Sequence, residues 1–272
     1  MNPTNHTLPS FTVNKLKERK FRTAFLSVYL AFNLFSVVYF LTQGMIRNAI
    51  LPVLYTALFF TVLVLIEYYF SIDCPDPFLV IIFSVPIGGI LGTCYDLYTA
   101  VPFFDTLLQP VSGFIFASLG YVIMERILMS RSIRSRVAAV VFAFAFSLAI
   151  AVLWEMFEWL LTVTMNGDMQ EDSIITTIRS YLLSGTHDAP LSIPNIEQTV
   201  IIFDGGKSYV IEGGYLDTGL TDTLLDMLVC LAGAVIFFVL GMVDALTPHR
   251  TLCGLVPHCE QLSERPFAPY RE

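Results

Sequence analysis

Residues 137–161 read VAAVVFAFAFSLAIAVLWEMFEWLL. A helix needs about 20 mainly apolar residues to cross the hydrocarbon core of a bilayer, so this stretch is long enough to span. Two carboxylates, Glu155 and Glu158, interrupt its far end. An ionisable side chain inside a spanning segment costs roughly 2.5–3.5 kcal/mol on insertion scales and points by default to a functional site. The number of such stretches gives the fold, and the acids raise the question of function.

The chain of 272 residues is 55% hydrophobic and 14% charged, with a mean hydropathy of +0.68. Soluble domains carry about 25% charged residues, so the class is integral membrane protein. A formal net charge of −8 gives nucleic acid no footing. The five cysteines are odd in number and irregular in spacing, which argues against a disulfide framework.

Six spans are expected, at about 23–43, 46–70, 78–95, 106–129, 137–161 and 222–245. The first is too long for the apolar core of a cleaved signal peptide. It follows Lys15, Lys17, Arg19, Lys20 and Arg22, while Arg131, Arg134 and Arg136 follow span four. Residues 96–105 contain no Lys or Arg, and residues 162–221 contain only Arg179 and Lys207. Positive charge favours the cytoplasmic side. The expected fold is therefore an all-α membrane protein, a bundle of six transmembrane helices with both termini inside. Residues 1–22 form a cytoplasmic segment, 23–161 the first five helices, 162–221 an extracytoplasmic loop, 222–245 helix six and 246–272 a cytoplasmic tail.

The long loop is expected to form a small outer cap. Residues 170–183 have a helical look, with Ile174, Ile175, Ile178, Tyr181 and Leu182 apolar. Residues 199–216 read as a hairpin, with TVIIF (199–203) and SYVI (208–211) flanking the turn signal DGGK (204–207). A surface loop without function is the plainer alternative. In span three, Gly88 and Gly92 form a GxxxG pair, which lets another helix approach.

The acids fall near the outer ends of the spans. Glu155 and Glu158 are three apart and Asp222 and Asp226 four apart, so each pair shares a helix face. Asp105, Gln109 and Ser112 line one face of span four, and Asp96 ends span three. Facing inward, these stripes would surround one small volume. Carboxylates confined together must share protons or be neutralised by a cation, and hard divalent cations prefer oxygen ligands. A divalent cation is thus the candidate cofactor, and the candidate site residues are Asp105, Gln109, Glu155, Glu158, Asp222 and Asp226.

Plainer roles compete. Asp105 and Asp222 suit helix N-caps, and Thr223 with Asp226 resembles a capping box. Glu158 lies between Trp154 and Trp159, which look like interfacial aromatics. Glu67, one turn from the end of span two, is expected to reach the interface. His249, Cys253, His258 and Cys259 fit no standard zinc framework. No Ser-His-Asp arrangement or HExxH motif is present.

The stretches VPFFDTLLQPVSGF (101–114), WEMFEWL (154–160) and DTLLDMLVCLAGA (222–234) resemble the YjdF-type bacterial inner-membrane proteins and, more remotely, the VanZ-like membrane proteins linked to glycopeptide resistance. Glu125-Arg126 at the inner end of span four matches as well. The resemblance covers about residues 80–245, and it implies a multi-pass protein of the bacterial cytoplasmic membrane. The YjdF-type pattern has Tyr-Asp, then His four residues after the Asp, then Gln-Gly-Phe. Asp105, Gly113 and Phe114 are in register, while Gln109 replaces the His and Ser112 the Gln. Gln neither ligates a transition metal well nor shuttles a proton as His does, so a hard-cation or polar-ligand site fits better than a zinc or proton-relay site.

Three functions compete. The first is a binding or transport protein whose acids take a cation or polar ligand in an outward-facing cavity. The second is a metal-dependent enzyme acting on a lipid-linked envelope substrate. Outward Lys and Arg to meet phosphate are nearly absent, which counts against it. The third is a non-catalytic envelope or stress protein whose acids fasten helices together. The lipid bilayer is the partner common to all three.

Overall fold

The computed structural model describes residues 17–101, 104–130, 132–165, 169–247, 252 and 254–259. His249 and Cys253 lie outside these residues. Six helices are long and apolar enough to cross a membrane: Lys20–Thr42, Ile46–Tyr69, Asp76–Cys94, Thr106–Leu128, Ile133–Met165 and Leu220–Leu246. Each expected span is present. The largest difference is span five, which starts at Ile133 and continues a turn past Leu161 to Met165. The chain divides into two compact units, Met1–Ile150 with Val229–Glu272, and Ala151–Leu228.

In the first unit, span three is the central helix. Half of its most apolar window is buried, against 17–33% for the other five spans. Phe83 is fully buried there and meets Tyr29 of span one edge-to-face, centroids 4.8 Å apart at 83°, and Phe60 of span two at 5.6 Å and 82°. Such aromatic pairs contribute about 0.5–1.5 kcal/mol beyond the area they bury. Large apolar side chains such as Leu34, Phe35, Leu54 and Leu58 remain exposed. Lipid tails solvate them as well as a core would, so helix association relies on close packing instead.

Glycine provides that packing between spans four and six. A Cβ on Gly113 would run into the backbone carbonyl of Cys230, and one on Gly233 into that of Pro110. The two glycines thus notch the two helices reciprocally. Ser147 of span five donates to the Gly113 carbonyl at 2.9 Å. Ala117, Ala143 and Ala234 are fully buried nearby in sequence and add no bulk. The Gly88/Gly92 pair meets its expected role in part. Gly88 lies against Leu108 of span four, whereas Gly92 lies against Tyr98 of the short helix Leu97–Ala100.

Two spans end in wider π-helical turns, Leu65–Tyr69 and Ile90–Cys94. After the first comes β1 (Ile72–Asp73), which pairs antiparallel with a strand of the tail, His258–Cys259.

In the second unit, antiparallel strand pairs make up most of the loop. Strands β2 (Ser173–Ile175) and β3 (Ile178–Ser180) replace the helix expected over 170–183. Strand β4 (Leu191–Ile193) pairs with β3, and Tyr215–Asp217 pairs with β2. The stretch SIITTIRS is rich in β-branched residues, which fit a pleated surface better than a helix. Within the described residues 170–184, Tyr181–Ser184 alone is helical, a single turn capped by the Ser180 hydroxyl, which accepts from the Leu183 amide at 3.2 Å. The hairpin is as expected: β5 (Gln198–Phe203) pairs with β6 (Lys207–Glu212), ending at Phe203↔Lys207. Gly205 and Gly206, at φ +70° and +80°, supply the left-handed turn that DGGK signals.

Candidate functional site

From residue 151 to 160 of span five, the buried positions are Ala151, Glu155 and Glu158. The intervening Leu153, Trp154, Met156, Phe157, Trp159 and Leu160 are exposed. The 4-then-3 spacing of the buried set is one helix face, so the two carboxylates point inward while the apolar side chains point out. Glu155 is 7% and Glu158 9% exposed. The Trp154 indole N–H donates to Glu158 at 2.8 Å, an i,i+4 contact that leaves the ring exposed. Glu158 therefore does sit beside an interfacial-type tryptophan, and it is also buried.

Span six repeats the pattern. Asp226 is 7% exposed, while Leu224, Leu225 and Leu228 around it are exposed. Asp222 is half-buried and accepts from the Glu171 amide at 3.0 Å, which ties the loop to the helix. It lies inside the first turn of Leu220–Leu246 and is not its N-cap. The capping acceptor is Asp217, which takes the Thr221 amide at 2.8 Å and also the Thr221 hydroxyl. The hydroxyl bond holds the half-buried Asp217 carboxyl below the usual carboxylate range. Thr223 accepts from the Gln170 side chain at 2.6 Å, a role different from the expected capping box with Asp226.

Asp105 occupies the first turn of Phe104–Leu128, in the first unit, and its side chain lies outside the described set. Gln109 is half-buried one turn on. The third member of that expected stripe, Ser112, turns its hydroxyl back onto the Leu108 carbonyl at 3.3 Å and lines an apolar cavity. Asp96 is exposed in a left-handed conformation, φ +61°. Among the described residues, no group of three or more His, Cys, Asp or Glu side chains is placed to hold a metal ion.

A second polar centre lies in the first unit; its acids Glu67, Asp73 and Asp76 cluster in the sequence, but their arginine partners are not marked there. Arg22, 2% exposed, donates to both oxygens of Glu67 at 2.9 Å and to the Cys74 carbonyl at 2.6 Å. Beside it, Arg19 donates to both oxygens of Asp73 at 2.8 Å, and Asp76 lies 3.7 Å from both arginines. Burial works against the Arg19 charge, but Asp73, Asp76 and Glu67 together outweigh it and hold the guanidinium pKa above its ordinary value. Glu67 thus does not reach the interface as expected; it is 6% exposed, in the π-helical turn, and held by Arg22. The available signal was an imbalance. Residues 48–125 contain no Lys or Arg, so Glu67, Asp73 and Asp76 needed a base from elsewhere in the chain.

The model of the family described as "Predicted membrane protein (DUF2238)" matches residues 21–245. The chain belongs to this family. The YjdF-type proteins are the DUF2238 family, and the VanZ-like resemblance gains no support from the match. No curated protein and no solved structure matches the chain. The DUF2238 match includes the first two spans, which the motif resemblance over 80–245 left out. Several residues of the motif stretches serve helix packing. Gly113, Cys230 and Gly233 form the notch between spans four and six, and Phe114 stacks edge-on against Phe237 at 5.5 Å.

Proposed function

We propose that Glu155, Glu158 and Asp226 form an intramembrane carboxylate site that binds a cation or a polar ligand, in a binding or transport protein of the bacterial cytoplasmic membrane. The observation that supports this is the inverted pattern of the two helix segments, with carboxylates inward and leucine, methionine and aromatic side chains outward. Burying three acids opposes folding, and intramembrane carboxylates are retained mainly at sites for ions, protons or substrates. With both termini cytoplasmic, as the basic segments favour, the site would lie towards the outer face. Asp222 is left out because it holds the Glu171 amide.

The donor set favours one kind of cation. Calcium takes about 6–8 oxygen ligands, a shell that the described side chains do not preform, whereas magnesium keeps several of its own waters and needs only one or two carboxylates. A cation that brings its own waters, or an organic ammonium group, fits the three acids better.

The test is thermal unfolding of the purified protein in detergent with sodium, potassium, magnesium, calcium and choline in turn. The parent is expected to gain stability from at least one of these, and Glu155→Gln and Asp226→Asn to lose that gain. An unresponsive parent, with variants as stable as or more stable than it, would mean that the acids are protonated and structural.

A further inference from the structure

An apolar cavity of about 280 Å³ lies between spans two, three and four of the first unit. Its walls run along span four from Ser112 to Val122 and along span two from Leu58 to Ile66. Ten residues of helix rise about 15 Å, so the cavity is a slot along the helices, long and narrow rather than round. Ile72 of β1 and Pro257, just before the tail strand that pairs with it, line the slot as well. Small-molecule sites start at about 300 Å³ and place a few polar groups among apolar walls. This one is at the lower limit of size and Ser112 is its one polar lining residue, with the hydroxyl already engaged.

One helical turn past the wall residues Ile66 and Val122 lie Phe70 and Arg126. Arg126 donates to the Phe70 carbonyl and stands 5.8 Å over the Phe70 ring. The two contacts fix the guanidinium beside this end of the slot. Arg126 is exposed, and no carboxylate among the described residues forms a salt bridge with it. Its remaining N–H groups are therefore open to an anion, and a guanidinium matches the oxygens of a phosphate. The juxtaposition of an apolar slot one chain wide with a fixed cation one turn beyond it matches a lipid with a negatively charged headgroup.

We propose that this slot holds one acyl chain of an anionic phospholipid, with the headgroup phosphate on Arg126. The site is separate from the carboxylates of the second unit and does not depend on their role.

The experiment is native mass spectrometry of the detergent-purified protein, with added phosphatidylglycerol or phosphatidylethanolamine, alongside thermal unfolding in the same mixtures. One phosphatidylglycerol is expected to stay bound per chain and to raise the melting temperature more than phosphatidylethanolamine does. Leu119→Trp, which fills the slot, should abolish retention. Arg126→Gln should weaken phosphatidylglycerol about tenfold or more, the worth of a charged hydrogen bond, and remove the preference for it. If Leu119→Trp fails to fold, Val85→Phe on the span-three wall makes the same test. Retention unchanged by slot filling would place the lipid on the outer surface and overturn the proposal. Equal binding of both lipids by the parent would also overturn it, since Arg126 would then select nothing.

Discussion

Arg22 and Glu67 form an ion pair in which Nη1 of the guanidinium lies 2.9 Å from both carboxylate oxygens, with side chains only 2% and 7% exposed. It joins the first turn of span one to the last turn of span two, and the Cys74 carbonyl and Arg19–Asp73 surround it. Taking two charges out of water is costly, so the pair's net contribution to stability is small although the loss of one partner is severe.

Arg22→Met leaves the Glu67 carboxylate buried without its guanidinium and should cost about 3–5 kcal/mol. The double variant Arg22→Met/Glu67→Leu should recover most of that loss. Thermal unfolding in detergent checks both. A double variant as unstable as the sum of the single ones would show that the two residues act independently.

Gly113 and Gly233 admit no Cβ because the opposing atom is backbone, which cannot rotate away. Gly233→Val should therefore separate spans four and six and cost roughly 1–3 kcal/mol or more, the usual range for overpacking. Ser147→Ala, which removes one hydrogen bond to Gly113, should cost only about 0.5–1.5 kcal/mol. Melting temperature and the monodisperse fraction on size exclusion would rank the two.

Trp154 is a built-in reporter for Glu158, since the chain has two tryptophans and this one donates to that carboxylate. In a Trp159→Phe background, Glu158→Gln should shift Trp154 emission. A cation that stabilises the protein should shift it over the same concentration range. A stabilising cation with no spectral effect would place Glu158 outside the site.

Asp217 caps span six as a carboxylate. Its pKa is depressed in the folded state, so its contribution is present at neutral pH and is lost as pH falls through the folded value, below the ordinary carboxylate range. Hydrogen-exchange protection of the Thr221 amide should fall in that acidic window. Asp217→Ala should lack the protection at every pH. Protection that persists below the window would show that the cap does not need the charge.

The amino-acid sequence by itself determined the membrane class, the six spans and the hairpin at 198–212. These depend on runs of about 20 apolar residues, alternation over a few residues and a Gly-Gly turn, all of them local patterns. It also offered Asp105, Gln109, Glu155, Glu158, Asp222 and Asp226 as candidate site residues, because a polar side chain in an apolar run is conspicuous whatever surrounds it. Tertiary structure decided which face Glu155, Glu158 and Asp226 occupy. It also decided that Asp217 and not Asp222 caps span six, that Gly113 and Gly233 meet backbone, and that Glu67 finds Arg22 across 45 positions of chain. In lipid both faces of a helix can be apolar, so no hydrophobic stripe marks the inner one. The partner of a buried charge is then fixed by where distant helices pack, which spacing along one helix does not encode.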